Sequence, residues 1–259
     1  MAKTDNRSPI KDKPLRLPGQ SLEEERAAIW DDKLEPYALL ALCFVAIAFL
    51  EWWRAWMHVP PAPVLFSIVA LVMVSFAAWR IWRYLPRLRA IRQGIEGEKA
   101  VGQFLERLRE SGYHVFHDVV GPTFNVDHVL VGPAGLFTIE TKTWSKPSKE
   151  DARVTGDTEG LLVAGHRPDR DPVVQARAQA GWLHQRIKES TGKPFAVKPI
   201  IVFPGWFIDP SAQRISNLWV LEPKALPAFL DNETVCLDSS DVKLAAFHLS
   251  RMIRSSERK

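Results

Sequence analysis

Cysteine is almost missing from this chain. Two occur in 259 residues, Cys43 inside an apolar run and Cys236 far away near the C-terminus. That excludes a disulfide framework and any CxxC metal site. No cleavable leader is expected in the first 36 residues, because they are polar. No internal repeat is visible. Charge of one sign is not in large excess: 34 basic against 30 acidic residues leave +4, with a pI near 9.1. Such a balance permits a polyanionic partner without demanding one. With 46% hydrophobic and 25% charged residues, global disorder is excluded as well.

Two stretches have no charge at all. Residues 37–50, YALLALCFVAIAFL, are followed by EWWRAWMH; residues 61–79, PAPVLFSIVALVMVSFAAW, are followed by RIWRYLPRLRAIR. The second run is long enough to span a bilayer. The first reaches that length if Glu51 and Arg54 sit at the interface, where Trp52, Trp53 and Trp56 favour them. Trp79 and Trp82 border the second run in the same way. Only HVPPAP separates the runs, so a tight hairpin is expected, with both flanks on one side. Arg80, Arg83, Arg87, Arg89 and Arg92 follow it with no acid among them, and Lys3, Arg7, Lys11, Lys13 and Arg16 precede it. The positive-inside rule then places both termini in the cytoplasm, in a multi-pass protein of the inner membrane. The arginine run has two readings, a topology signal that also anchors lipid headgroups and a contribution to nucleic-acid binding.

Beyond the hairpin the pattern alternates. QGIEGEKAVGQFLERLRESG has helical spacing, with Gly112 as its C-cap. YHVFHDVV, FNVDHVLV and LFTIETKTW read as strands, with GPAG as a turn between the last two. ARVTGDTEGLLVAGHR reads as a small inserted β-hairpin. DPVVQARAQAGWLHQRIKEST reads as a helix with Asp171 as N-cap, Pro172 in its first position and Gly192 beyond its end. FAVKPIIVFP and LWVLEP are strands, KALPAFLDN is a short helix, and a terminal helix starts near Ser239. The chain therefore divides into an N-terminal tail (1–36) holding a mixed-charge helix, a transmembrane hairpin (37–85), an α/β domain (92–210) and a C-terminal extension (211–259).

The turn carries the argument to chemistry. Side chains alternate along a strand, so Leu136, Thr138, Glu140 and Lys142 share one face, as do Asn125, Asp127, Val129 and Val131. A loop symmetric about Pro133–Ala134, of two or four residues, sets Asp127 directly opposite Glu140. A three-residue loop would break that register. Like charges at about 4.5–5.5 Å are unfavourable, and a divalent cation that prefers oxygen gives the pair a purpose. Magnesium is held by one or two carboxylates, waters and substrate phosphate. Lys142, on the same face, would orient water or stabilise charge on the phosphate; the plain alternative is a Glu–Lys surface pair. Glu98 borders the buried face of the first helix, while Glu96 points away. Gln175, in the first turn of the later helix, is placed to touch a phosphate or Lys142, or to be an ordinary surface glutamine. His128 faces the other side of its strand and reads as packed. His114 and His117 have no metal-ligand spacing.

The run GIEGEKAVGQFLERL … YHVFHDVV … NVDHVLVGPAGLFTIETKTW … DPVVQARAQAGWL resembles the nuclease-related domain, called NERD, over about residues 92–205. That family is similar to the restriction-endonuclease-like fold with its PD-(D/E)xK site. The resemblance implies an α/β mixed sheet flanked by helices. It matches Asp127 and Glu140 to metal-binding acids, Lys142 to the motif lysine, Glu98 to the helix acid and Gln175 to the helix glutamine. Val126 stands where the motif's name has proline. The implied function is a membrane-anchored nuclease that uses Mg²⁺, or Mn²⁺ in its place, on nucleic acid, DNA foremost. The alternative is a non-catalytic nucleic-acid-binding or membrane scaffold or sensor protein that keeps the fold. Its partners are then nucleic acid and the lipid bilayer. Protein partners are unspecified, and a homodimer is allowed.

Overall fold

The structure is a computed structural model that describes residues 15–58, 62–146, 152–158, 160–214 and 217–256. It comprises two compact units, Ser21–Gln93, and residues 1–20 taken together with Gly94–Lys259.

The first unit is helical. Helix α1 (Gln20–Ile29) leads through a π-helical turn, Trp30–Leu34, into α2 (Glu35–Trp56), which has a proline in its first turn. Helix α3 (Pro63–Leu105) follows. Both α2 and α3 are long and apolar enough to cross a membrane. Their exposed residues include Leu42, Phe49, Leu50, Leu65, Leu71 and Val72. An all-round apolar surface of this kind suits lipid better than water. The polar groups at the hairpin turn are satisfied locally. Glu51, 7% exposed, accepts from Ala62 N at 3.0 Å and from Arg54 at 2.7 Å. Trp52 donates its indole N–H to Ser67 at 3.0 Å, and at the other end Arg80 lies 4.7 Å over the Tyr37 ring. The sequence suggests two helices separated by the arginine run. The structure instead has one helix that passes through Pro86 and ends in a 3₁₀ turn, Glu106–Ser111, with Gly112 left-handed at φ +83°.

The second unit is a mixed α/β domain. Strands β1 (His114–Val120), β2 (Asn125–Gly132) and β3 (Gly135–Thr141) form an antiparallel meander. Strands β4 (Arg153–Asp157) and β5 (Gly160–Val163) are the inserted hairpin. Helix α4 (Pro172–Thr191) has Asp171 as N-cap, its side chain accepting from Val173 N, and left-handed Gly192 at its end. Strand β6 (Val197–Val202) then joins β3 in parallel. β7 (Phe207–Ile208) extends the inserted sheet, and β8 (Trp219–Leu221) joins β6 in parallel. The sheets run β1-β2-β3-β6-β8 and β5-β4-β7. Helices α5 (Leu226–Asp231) and α6 (Ser239–Ser256) complete the unit.

Alternation assigns the two faces of the main sheet. Phe137 and Ile139 pack with Val101 and Leu105 of α3 and with Leu226 and Leu230 of α5. Leu136, Val129 and Val131 pack with Leu183 and Ile187 of α4 and Leu249 of α6. Glu140 and Asp127 continue the second set, so their carboxylates belong to the α4 side.

Candidate active site

Gly132 pairs with Gly135, so the turn is the two-residue loop Pro133–Ala134. The ladder continues to His128 opposite Ile139, and one step beyond it stand Asp127 and Glu140. Asp127 ends the ladder with its side chain: Oδ2 accepts the Thr141 backbone N–H at 2.7 Å. On its other edge, β2 pairs His117 with His128 and Val119 with Val126. That count sets Asp118 opposite Asp127. Asp118 leaves the pairing with φ +48°, a left-handed conformation that aspartate tolerates better than most residues. Three acids therefore lie in one row across three adjacent strands.

Helix α4 supplies the amides. Glu140, 4% exposed, is held by three donors: Lys142 Nζ at 2.6 Å and Gln175 Nε2 at 2.7 Å on Oε1, and Gln179 Nε2 at 2.6 Å on Oε2. Gln175 turns its carbonyl oxygen to Lys142 Nζ at 2.9 Å. Its orientation follows from chemistry, with the amide N–H facing a carboxylate and the oxygen facing an ammonium. Gln179, one turn later, also donates to Asn125 O at 2.9 Å. Its buried Oε1 has no hydrogen-bond partner among the described residues.

The fourth acid comes from α3. Glu98 is 8% exposed, whereas Glu96 is exposed, as the helical phase requires. Helix α3 approaches closely because residue 97 is glycine: a Cβ there would lie 1.9 Å from Thr143 Cγ2. Residues 15–20 cover this end of the helix. Pro18 sits against Gly102, where a Cβ would meet its ring at 2.5 Å. Arg16, 8% exposed, donates to Asp118 Oδ2 at 2.7 Å. Gly19 N–H bonds the Glu98 carboxylate.

Charge in this cluster is unbalanced. Burial, then Asp118 and Glu140, push the Glu98 carboxyl up to about 8. Burial, then Glu140 and Glu98, hold Asp127 well above the usual carboxylate range, against the Thr141 N–H and Lys142. Glu98, Asp127 and Glu140 share one lysine, and Arg16 is engaged by Asp118. An oxygen-rich site with more acids than cationic partners and an orphaned amide oxygen fits a hard divalent cation, which would favour the ionised carboxylates. Among the described residues no three acids, histidines or cysteines converge as a closed ligand set. A cation would therefore be held by one or two of these carboxylates, with Asp127 and Glu140 the nearest pair in register.

The histidines lie outside this chemistry. His117 Nε2 donates to Glu106 at 2.8 Å, so its Nδ1, 2.9 Å from His128 Nδ1, accepts from that ring. His128 is fully buried on the opposite face of β2, and burial lowers the pKa of both rings.

The structure thus brings together all five residues expected from the sequence, Asp127, Glu140, Lys142, Glu98 and Gln175. Sequence reasoning missed Asp118, Gln179 and Arg16. The first has a signal: a four-residue loop Gly121–Phe124, closed by Gly121 N to Phe124 O at 2.8 Å, sets Asp118 opposite Asp127 by the same counting. Gln179 follows Gln175 at i,i+4 on one helix face. Arg16 has no local signal.

Fold and site define a mixed α/β domain with an acid–lysine centre at the end of a sheet meander. Residues 93–204 match the family model of the nuclease-related domain. An uncharacterised protein of Bacillus anthracis is 27% identical over 99 residues, covering 35% of this chain and 45% of that relative. The matched stretch thus spans less than half the length of that relative. No solved structure matches significantly.

Proposed function

We propose that the chain is a membrane-anchored, divalent-metal-dependent nuclease acting on nucleic acid, DNA foremost, at the cytoplasmic face of the inner membrane. One observation carries this reading. Buried Glu140 stands with Asp127 one register step beyond the β2–β3 ladder and within electrostatic reach of Glu98, beside Lys142, whose Nζ is fixed between Glu140 at 2.6 Å and Gln175 at 2.9 Å. A binding surface for polyanions would have no use for buried acids that repel one another.

Asp127 and Glu140 would hold Mg²⁺, or Mn²⁺ in its place. Such an ion supplies Lewis-acid polarisation of the phosphate and a more acidic bound water. The chain's own residues do the rest. Gln175 and Gln179 hold Glu140 in a single rotamer. Among the described residues Lys142 uses two of its three N–H donors, on Glu140 and Gln175, which would leave one for a phosphate oxygen or the attacking water. Glu98, whose carboxyl is pushed up to about 8, holds a proton at the edge of the site near neutral pH. Membrane attachment rests on α2 and α3, and the cytoplasmic side on the arginine run that follows.

The test uses the full chain in detergent, because a fragment starting at Gly94 lacks Arg16 and Gly19. Labelled duplex DNA, single-stranded DNA and RNA are incubated with Mg²⁺, Mn²⁺ or EDTA. Cleavage is expected only with metal, and Glu140→Gln and Lys142→Ala should each reduce it by about 10²–10³-fold. Binding without cleavage in every condition would replace this reading with that of a non-catalytic nucleic-acid-binding protein.

A further inference from the structure

A cleft of about 930 Å³ opens beside the acid–lysine site and shares Lys142 and Gln175 with it. One wall is the segment after β3, with Trp144 and Lys146. The other is the loop after β5, with Arg167 and Arg170. Its position follows from the chain. The β4–β5 hairpin is inserted between β3, which ends at the Glu140–Lys142 segment, and α4, which carries Gln175 and Gln179. Whatever the insertion grips is therefore held next to the acids.

The lining has a definite chemistry. Lys142, Lys146, Arg167 and Arg170 face a single carboxylate, Asp169, among the described lining residues. Arg167 is oriented by Asp157 at 2.7 Å, and Lys146 donates to Gly205 O. Trp206, 3% exposed, is a fixed wall whose indole N–H donates to Trp144 O at 3.3 Å. Trp144 packs edge-on to Phe203 at 5.7 Å and remains only partly buried. Cations around a braced, accessible indole are the components of a single-strand platform, in which phosphates meet the charges and a base stacks on the ring. A bare phosphate has no use for the indole. A paired duplex keeps its base faces stacked inside and cannot offer one to a recessed ring.

We propose that this cleft binds an unpaired nucleotide of the substrate strand, its base stacked on Trp144 and its phosphates on Lys146, Arg167 and Arg170. The choice of ligand rests on the nuclease reading of the neighbouring centre.

The experiment measures binding without turnover. The full chain in detergent and EDTA is titrated into labelled single-stranded DNA, single-stranded RNA and a matched DNA duplex, with anisotropy as the readout. At least one single strand should bind about tenfold or more tightly than the duplex. Trp144→Ala and Arg170→Glu should each weaken that binding by about tenfold, and Trp144→Phe, which keeps a stacking face, by much less. Arg170 is exposed, so its variant tests the cleft without disturbing the fold. Equal or tighter binding of duplex overturns the proposal. So does a loss with Arg170→Glu that Trp144→Ala does not share, which marks a plain phosphate surface. A chain that binds single strands as expected yet cuts nothing with Mg²⁺ or Mn²⁺ supports this subsite and refutes only the nuclease. A chain that cuts but shows neither the preference nor the variant effects overturns only the subsite.

Discussion

Glu98 is the carboxyl that reports most directly on the charge of the site. Its ordinary value of 4.5 is raised to about 8, first by burial and then by Asp118 and Glu140, against Gly19 N–H and Lys142. The folded value lies above the unfolded one. The neutral acid therefore favours the folded state fully below about pH 4.5, and that contribution is lost as pH rises through about 8. In EDTA, the melting temperature of wild type should fall relative to Glu98→Gln between pH 5 and pH 9, with about 2–4 °C for each kcal/mol. Tryptophan-fluorescence melts across that range check this, and parallel curves for the two proteins would count against it. Opposed Asp127 and Glu140 were legible beforehand because a hairpin turn is a symmetry operation on sequence: a loop centre alone places each residue of a pair. Asp118 obeys the same rule and was readable. Arg16 was not, because its partner is 102 positions away and nothing local distinguishes it from the other basic residues of the tail.

Element by element, the strands and helices of the α/β unit follow the local signals, since turn glycines, an Asp–Pro helix start and alternating apolar residues act within a few positions. Two features escaped. β7 has two residues, too few for any periodicity. The continuity of α3 was hidden because its apolar stripe stops at the arginine run, and Pro86 reads as a break although the helix passes through it. Gly97 is where this helix meets the site. Replacing it with alanine gains about 1 kcal/mol of helix propensity. The new Cβ, however, would lie 1.9 Å from Thr143 Cγ2 and 2.8 Å from Thr143 Cβ, so rotation of the threonine does not relieve the overlap. Overpacking costs about 1–3 kcal/mol, so the expected net effect is destabilisation, accompanied by displacement of Glu98. Gly97→Ala should melt lower than wild type and cleave more slowly, while Gly97→Ala with Thr143→Gly should recover most of both. Failure of the double variant to recover either property would remove Gly97 as the close-approach point.

At the scale of the whole molecule, the decisive feature is that residues 15–20 and the chain from Gly94 onward belong to one compact unit, although 73 residues (94 minus 21) lie between them. Arg16 and Asp118 make the joint, 8% and 2% exposed and 2.7 Å apart. Removing one partner of a buried pair leaves the other charge uncompensated, at about 3–5 kcal/mol. Arg16→Met should accordingly lower stability far more than a tail substitution would, and Arg16→Met with Asp118→Asn should return much of the loss. This joint also constrains the membrane reading. A segment whose two flanks fold into the same unit must enter and leave the bilayer on the same side, so α2 and α3 either both cross or neither does. In the proposed topology, Arg80, Arg83, Arg87, Arg89 and Arg92 at the end of the apolar stretch of α3 would select the cytoplasmic side. Fluorescent-protein reporters that mature only in the cytoplasm should light up when fused before Met1 or after Lys259, and alkaline phosphatase at either end should stay inactive. A phosphatase inserted at the α2–α3 turn, between Met57 and Pro63, should be active, because that turn would lie on the far side. Activity at one terminus alone would contradict the shared unit, activity at both termini would invert the arginine argument, and inactivity at the turn would leave α2 and α3 on the membrane surface.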